Sequence, residues 1–131
     1  GHTYTGNPLA CAAAIASLNL FETDSTLERI KPVMETLERG LSRIARLPHV
    51  GDVRRRGMMV GIELVKDRAT KQEYAFDERM GFKVCLEARK HGVWVRPLGN
   101  VIVLMPPLSL TVAEAELLLE AVEQSIVQLS Q

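Results

Sequence analysis

Two stretches of this chain carry side chains suited to binding or catalysis, and they lie far apart. The first is Gly1-His2-Thr3-Tyr4-Thr5-Gly6-Asn7-Pro8, a glycine- and hydroxyl-rich loop that runs into Leu9-Ala10-Cys11-Ala12-Ala13-Ala14. Pro8 costs no hydrogen bond in a first helical turn, because the N–H it lacks would be unpaired there. Asn7 before it is a good N-cap, so a helix is expected to start at about Pro8. Backbone N–H groups and two hydroxyls at a helix N-terminus suit a phosphate. The alternative is a plain turn with Thr3 and Thr5 solvated, and short Gly/Thr motifs do not decide between the two. The second is Arg96, which comes after Val93-Trp94-Val95 and precedes Pro97. That places a guanidinium at a strand end against a rigid turn. A fixed guanidinium in an apolar setting can bind both oxygens of a carboxylate at once. The other reading of Arg96 is a surface arginine paired with a neighbour such as Glu63. Arg54-Arg55-Arg56 reads as a strand edge and not as a site.

Other chemistries find little support. His2, His49 and His91 are scattered, and no His/Cys/carboxylate cluster has metal-ligand spacing, so no metal site is expected. There is no serine nucleophile elbow and no phosphate-binding P-loop. Cys11 and Cys85 both fall within apolar helical patterns and read as small core residues in a reducing compartment. Sixteen basic residues balance sixteen acidic ones, which gives no reason to expect a nucleic-acid or anionic-membrane partner. No signal-peptide pattern or membrane-length apolar run is read in these 131 residues, so neither is expected within them. At 131 residues, 47% of them hydrophobic, the chain is large enough for one domain with a real core. It opens without an initiator Met, inside a functional-looking loop, so a piece of a longer protein is expected.

Hydrophobic periodicity supplies the scaffold around these residues. Pro8 to Phe21 is apolar nearly all round, a helix that would be buried on several sides against another domain or subunit. Ser25-Thr26-Leu27-Glu28 fits a capping box opening the next helix. Its inward stripe is Leu27, Ile30, Met34, Leu37, Leu41, Ile44 and Leu47, with a split expected near Ile30 from Pro32 and an end at Pro48. Val50 to Arg56 and Met58 to Val65 read as strands separated at Gly57, the second of them central, and Lys66 to Glu73 as a polar loop. Asp77 to Lys90 is a helix with Met80, Val84, Cys85 and Ala88 inward and Gly92 as its C-cap; Gly81 weakens that reading slightly. Val93 to Arg96 is a strand stopping at Pro97, Leu98-Gly99-Asn100 a turn, and Val101 to Met105 the returning strand of a hairpin. Thr111-Val112-Ala113-Glu114 is a second capping box, opening a helix with Ala115, Leu118, Leu119, Val122, Ile126 and Leu129 on one face. Adjacent strand pairs among helices imply an α+β fold: a mostly antiparallel sheet of about four strands with helices on one face.

The opening loop and Arg96 together resemble a known family. Gly1-His2-Thr3-Tyr4-Thr5-Gly6-Asn7-Pro8-Leu9-Ala10-Cys11-Ala12 is similar to the start of the C-terminal segment of class III aminotransferases, pyridoxal-phosphate enzymes of fold type I. Val53-Arg54 and Gly57-Met58-Met59-Val60-Gly61-Ile62-Glu63-Leu64 look like their strand pair. The resemblance implies two parts, residues 1–22 as phosphate loop and connecting helix and residues 23–131 as the small C-terminal domain. It implies that Thr3 contacts the phosphate of pyridoxal 5'-phosphate in a partner subunit of a homodimer, with His2 supplying neighbouring backbone. Within the class, Gly92-Val93-Trp94-Val95-Arg96-Pro97-Leu98-Gly99-Asn100 through Pro107 is similar to the biotin-pathway branch that transfers an amino group from S-adenosylmethionine to 8-amino-7-oxononanoate. There the arginine of the R-P-x-G turn binds the acceptor's carboxylate, a role that maps onto Arg96. Val103 stands where some members carry a tyrosine.

The family's lysine, which forms a Schiff base with the cofactor, lies upstream of the opening motif. Lys31, Lys66, Lys71, Lys83 and Lys90 do not fit that role. No catalytic residue is therefore expected in this stretch, which alone should be inactive, as part of a cytoplasmic enzyme acting on small molecules. The alternatives are another class III transaminase, of the ω-amino acid:pyruvate or ornithine type, or a non-catalytic α+β binding domain.

Overall fold

The computed structural model describes residues 5–129. They divide into two compact units, one ending at Lys31 and the other beginning at Pro32.

The first unit is dominated by helix α1, Pro8–Thr23. Asn7 caps it as expected, its Oδ1 accepting the Ala10 N–H at 3.0 Å. No residue of α1 is buried, and Cys11, expected in a core, is exposed. Ser25 does not cap the next helix: it takes a left-handed conformation (φ 46°) and its side chain makes no capping bond. The neighbouring hydroxyl is used instead. Thr26 Oγ1 donates to the Leu20 carbonyl at 3.1 Å, a second bond to an oxygen that already accepts the Asp24 N–H at 3.1 Å. The chain then makes a single helical turn, α2, Thr26–Arg29. Pro32 splits the pattern where expected, so α3 restarts as Lys31–Ile44 with the proline in its first turn. The break resets the helical phase. Leu27 is consequently 60% exposed and Val33, not Met34, joins the buried stripe with Leu37, Leu41 and Ile44.

The second unit is built on an antiparallel sheet in the order β1 (Val50–Arg56), β2 (Met59–Asp67), β5 (Val101–Leu104), β4 (Arg96–Leu98). Strand β1 is Val50–Arg56 and β2 is Met59–Asp67, joined through Gly57, whose φ of 59° is one that side-chain-bearing residues rarely adopt. The expected polar loop after Val65 contains the end of β2 and a short fifth strand, β3 (Gln72–Glu73), paired to it. The expected helix from Asp77 begins later, after a 3₁₀ turn at Phe76–Glu78, as α4, Met80–Lys90, with Gly92 at φ 80° just beyond it. Strand β4 is Arg96–Leu98, so it does not stop at Pro97 but runs through it. Proline fits there because β4 is an edge strand, where a missing N–H breaks no second ladder. A two-residue loop, Gly99-Asn100, leads into β5, Val101–Leu104, since Leu98 pairs directly with Val101. The final helix, α5, is Val112–Leu129. Its capping box forms as read: the Thr111 N–H and Oγ1–H both donate to Glu114 Oε2 at 2.8 Å, and the Glu114 N–H donates back to Oγ1 at 3.2 Å.

Side-chain alternation gives the sheet two faces. Val60, Ile62, Leu64, Ile102 and Leu104 form the buried one. Against them lie the apolar stripes of the helices: Leu37 and Ile44 of α3, Val84, Cys85 and Ala88 of α4, and Leu119, Val122 and Ile126 of α5. The opposite face carries, in register across β1-β2-β5-β4, the row Arg54, Gly61, Val103 and Arg96.

Candidate functional site

Thr3 and His2, expected from the sequence to meet a phosphate, lie outside the described residues. Just beyond them, Gly6 (φ 73°) leads into Asn7 and the N-terminus of α1. Asn7 occupies the Ala10 N–H through its side chain and the Cys11 N–H through its carbonyl, at 3.0 and 2.9 Å. Pro8 has no N–H to offer, and the Leu9 N–H keeps no acceptor among the described residues. An exposed helix N-terminus with a donor to spare suits a phosphate.

Arg96 lines a hollow of about 980 Å³ at the β4 edge of the sheet, bounded by β4, the 105–107 segment and the facing sides of α4 and α5. The walls are mostly apolar, among them Phe82, Trp94, Leu98 and Met105, and three charged side chains reach it: Arg89, Arg96 and Glu114. Two of the three are committed. Arg89 stacks its guanidinium on the Trp94 ring, 3.7 Å from the centroid, a cation–π contact. Glu114 is held in the α5 capping box, and the Thr111 N–H and hydroxyl keep its carboxyl below the usual carboxylate range. Arg96 has no ion-pair or side-chain hydrogen-bond partner among the described residues. The carboxylate expected to neutralise it is also taken, because Glu63 binds Arg54 Nη1 at 2.6 Å, with Asp52 on the same nitrogen at 2.9 Å. Those two carboxylates, Glu63 first, raise the Arg54 pKa above its already high value. Of the two readings open for Arg96, the surface pair with Glu63 is not the one the fold adopts.

Val103 sits directly across from Arg96 on the neighbouring strand and also lines the hollow. Cys85 contributes to the floor; burial pushes its thiol up to about 11, so it stays protonated and is no nucleophile at neutral pH. The histidines do not converge. His49 Nδ1 meets the Val65 carbonyl at 3.2 Å and the Tyr74 hydroxyl at 3.1 Å, while His91 Nε2 is buried without a partner in a separate groove between α3 and α5. No cluster able to hold a metal ion occurs among the described residues. All five lysines are exposed, and Lys31, Lys66 and Lys90 are ion-paired to Glu28, Glu78 and Glu87. No helix among the described residues is long and apolar enough to cross a membrane. Sequence reasoning did not find the stacked Arg89–Trp94 pair. An arginine five residues before an aromatic, across a helix end, was the only signal for it.

The antiparallel sheet backed by helices has close counterparts: the chain belongs to the aminotransferase class-III family, whose profile matches residues 1–126. It is 56% identical over all 131 residues to the adenosylmethionine-8-amino-7-oxononanoate aminotransferase of Nitratidesulfovibrio vulgaris, and 53% identical over 126 residues to that of Geobacter sulfurreducens. It spans 24% and 28% of the lengths of those relatives, about a quarter. The crystal structure of the enzyme of that name from Methanocaldococcus jannaschii superposes with a TM-score of 0.94 at 46% identity, covering 98% of this chain and 29% of that one.

Proposed function

We propose that this chain is the C-terminal part of a pyridoxal-phosphate-dependent aminotransferase that moves an amino group from S-adenosylmethionine to 8-amino-7-oxononanoate in biotin biosynthesis. Residues 1–22 serve as phosphate loop and connecting helix, and residues 23–131 as the small domain. The whole enzyme works as a cytoplasmic homodimer on small molecules. The observation that carries the reading is the uncommitted guanidinium of Arg96 at the rim of an apolar hollow. An oxononanoate presents one carboxylate at the end of a methylene chain. Arg96 binds the carboxylate bidentately, and apolar walls such as Leu98 and Met105 accept the chain. Thr3 and the N-terminus of α1 hold the cofactor phosphate belonging to the partner subunit. Bound pyridoxal phosphate supplies the electron sink for amino transfer. This chain's residues orient the acceptor and anchor the phosphate.

The similarity to relatives that carry this name supports the choice of donor and acceptor. A donor screen on the full-length enzyme tests it. Amino transfer to the oxononanoate is expected with S-adenosylmethionine. Activity with ω-amino acids alone would replace this reading with a transaminase of the ω-amino acid type.

A further inference from the structure

Gly81, the second residue of α4, is buried against the turn that comes after Arg96. A Cβ placed on it would stand 2.3 Å from the Gly99 carbonyl oxygen and 3.1 Å from Pro97 Cβ. Ordinary contact begins about 1 Å farther out, and what blocks the way is backbone, which cannot rotate aside as a side chain can. The opposite side of the turn is tied as well. Asn100 Nδ2 donates to the Tyr74 carbonyl at 2.8 Å, and the Leu64 N–H donates to the Asn100 carbonyl at 2.9 Å. Helix α4 is anchored by Val84, Cys85 and Ala88, all 2% exposed or less. Strand β4 is an edge strand, laddered on one side only, to β5. Both bodies are held, but β4 is laddered on one side only and the Asn100 bonds lie beyond Gly99, so the 97–99 backbone is where an added methyl is expected to act.

We infer that Gly81 is a positioning residue for substrate binding: by letting α4 touch the 97–99 backbone, it sets where the Arg96 guanidinium stands in the hollow. This rests on the assignment of Arg96 to the acceptor's carboxylate. Loosening the contact cannot cost more than losing it, roughly 10- to 150-fold, so a rise of about 10-fold in the KM for the acceptor, short of that for Arg96→Ala, is expected from Gly81→Ala.

The test uses the full-length enzyme with the oxononanoate and its methyl ester as paired acceptors. Gly81→Ala should raise the KM of the acid and leave those of the ester and of S-adenosylmethionine near wild type, with little change in kcat. Gly40→Ala is the packing control, because the nearest atoms its Cβ would meet belong to the side chain of Leu119, at 2.5 Å; it should keep the wild-type preference for acid over ester. If Arg96→Ala abolishes that preference and Gly81→Ala retains it, or if Gly81→Ala weakens acid and ester alike, the positioning role is overturned. If Arg96→Ala itself leaves the preference intact, the carboxylate assignment falls and this inference falls with it. Should Gly81→Ala not yield folded enzyme, Asn100→Ala releases the same turn from its other side. It should then show the same acid-selective rise, and its absence would overturn the inference.

Discussion

Replacing Arg96 by alanine in the full-length enzyme should weaken the oxononanoate and little else. In this chain the guanidinium has no partner among the described residues, so its removal leaves no buried carboxylate stranded; Glu63 stays with Arg54 and Glu114 with Thr111. The cost falls on the substrate. A hydrogen-bonded contact to a charged group contributes about 1.5–3 kcal/mol, which corresponds to roughly a 10- to 150-fold rise in KM. Arg96→Lys should fall between alanine and wild type, because an ammonium keeps the charge and loses the planar fork. Steady-state kinetics with the oxononanoate varied at saturating donor measures this, with a thermal melt of each variant alongside. An unchanged KM and kcat for that acceptor would refute the argument. So would a melting temperature that drops as far as the affinity, since the arginine would then be holding the fold.

The ionisable groups lead to two further outcomes. Cys85 is 2% exposed and its thiol is pushed up to about 11, so at pH 8 only about one molecule in a thousand carries the thiolate. Peptide mapping after iodoacetamide treatment should find Cys85 unmodified in folded enzyme and modified once it is unfolded; equal labelling in both states would contradict its burial. The carboxyls of Glu114 and Glu78 are lowered in the folded state, the first by the Thr111 N–H and hydroxyl, the second by Lys66 and then the Ala75 N–H. A lowered folded pKa contributes stability above the ordinary carboxylate value and loses it as pH falls through the lowered one. The unfolding midpoint should therefore hold steady near neutrality and decline below about pH 4.5, and Glu114→Gln should shallow that decline in a melt series.

Much of this fold is legible because its local signals agree with its packing. Asn7-Pro8, Pro32 and the Thr111/Glu114 box act within a few residues of themselves, and each does in three dimensions what it announces. Sequence and structure part where a distant contact outweighs a local preference. Ser25 loses the cap because Thr26 reaches back to the Leu20 carbonyl, six residues away. Pro97 stays within a strand because β4 is an edge, a fact of sheet order that no window of sequence contains. Arg96 is visible as a candidate from its residue type and its proline neighbour. Its freedom from Glu63 is not, because that depends on β1 pairing with β2 to bring Arg54 and Asp52 beside the carboxylate.

The two-residue loop between β4 and β5 constrains how this domain can change over time. Which face Arg96 occupies is decided by loop length, since Leu98 must pair with Val101 for Arg96 to lie opposite Val103. A residue inserted or deleted there that is not absorbed as a longer loop shifts the register by one and exchanges the faces of β4, turning the guanidinium toward the side of Ile102 and the apolar core. Substitution changes the walls of the hollow one side chain at a time, whereas a register shift at Gly99-Asn100 moves every side chain of β4 at once. In this hairpin, a change of length is the more dangerous kind of mutation.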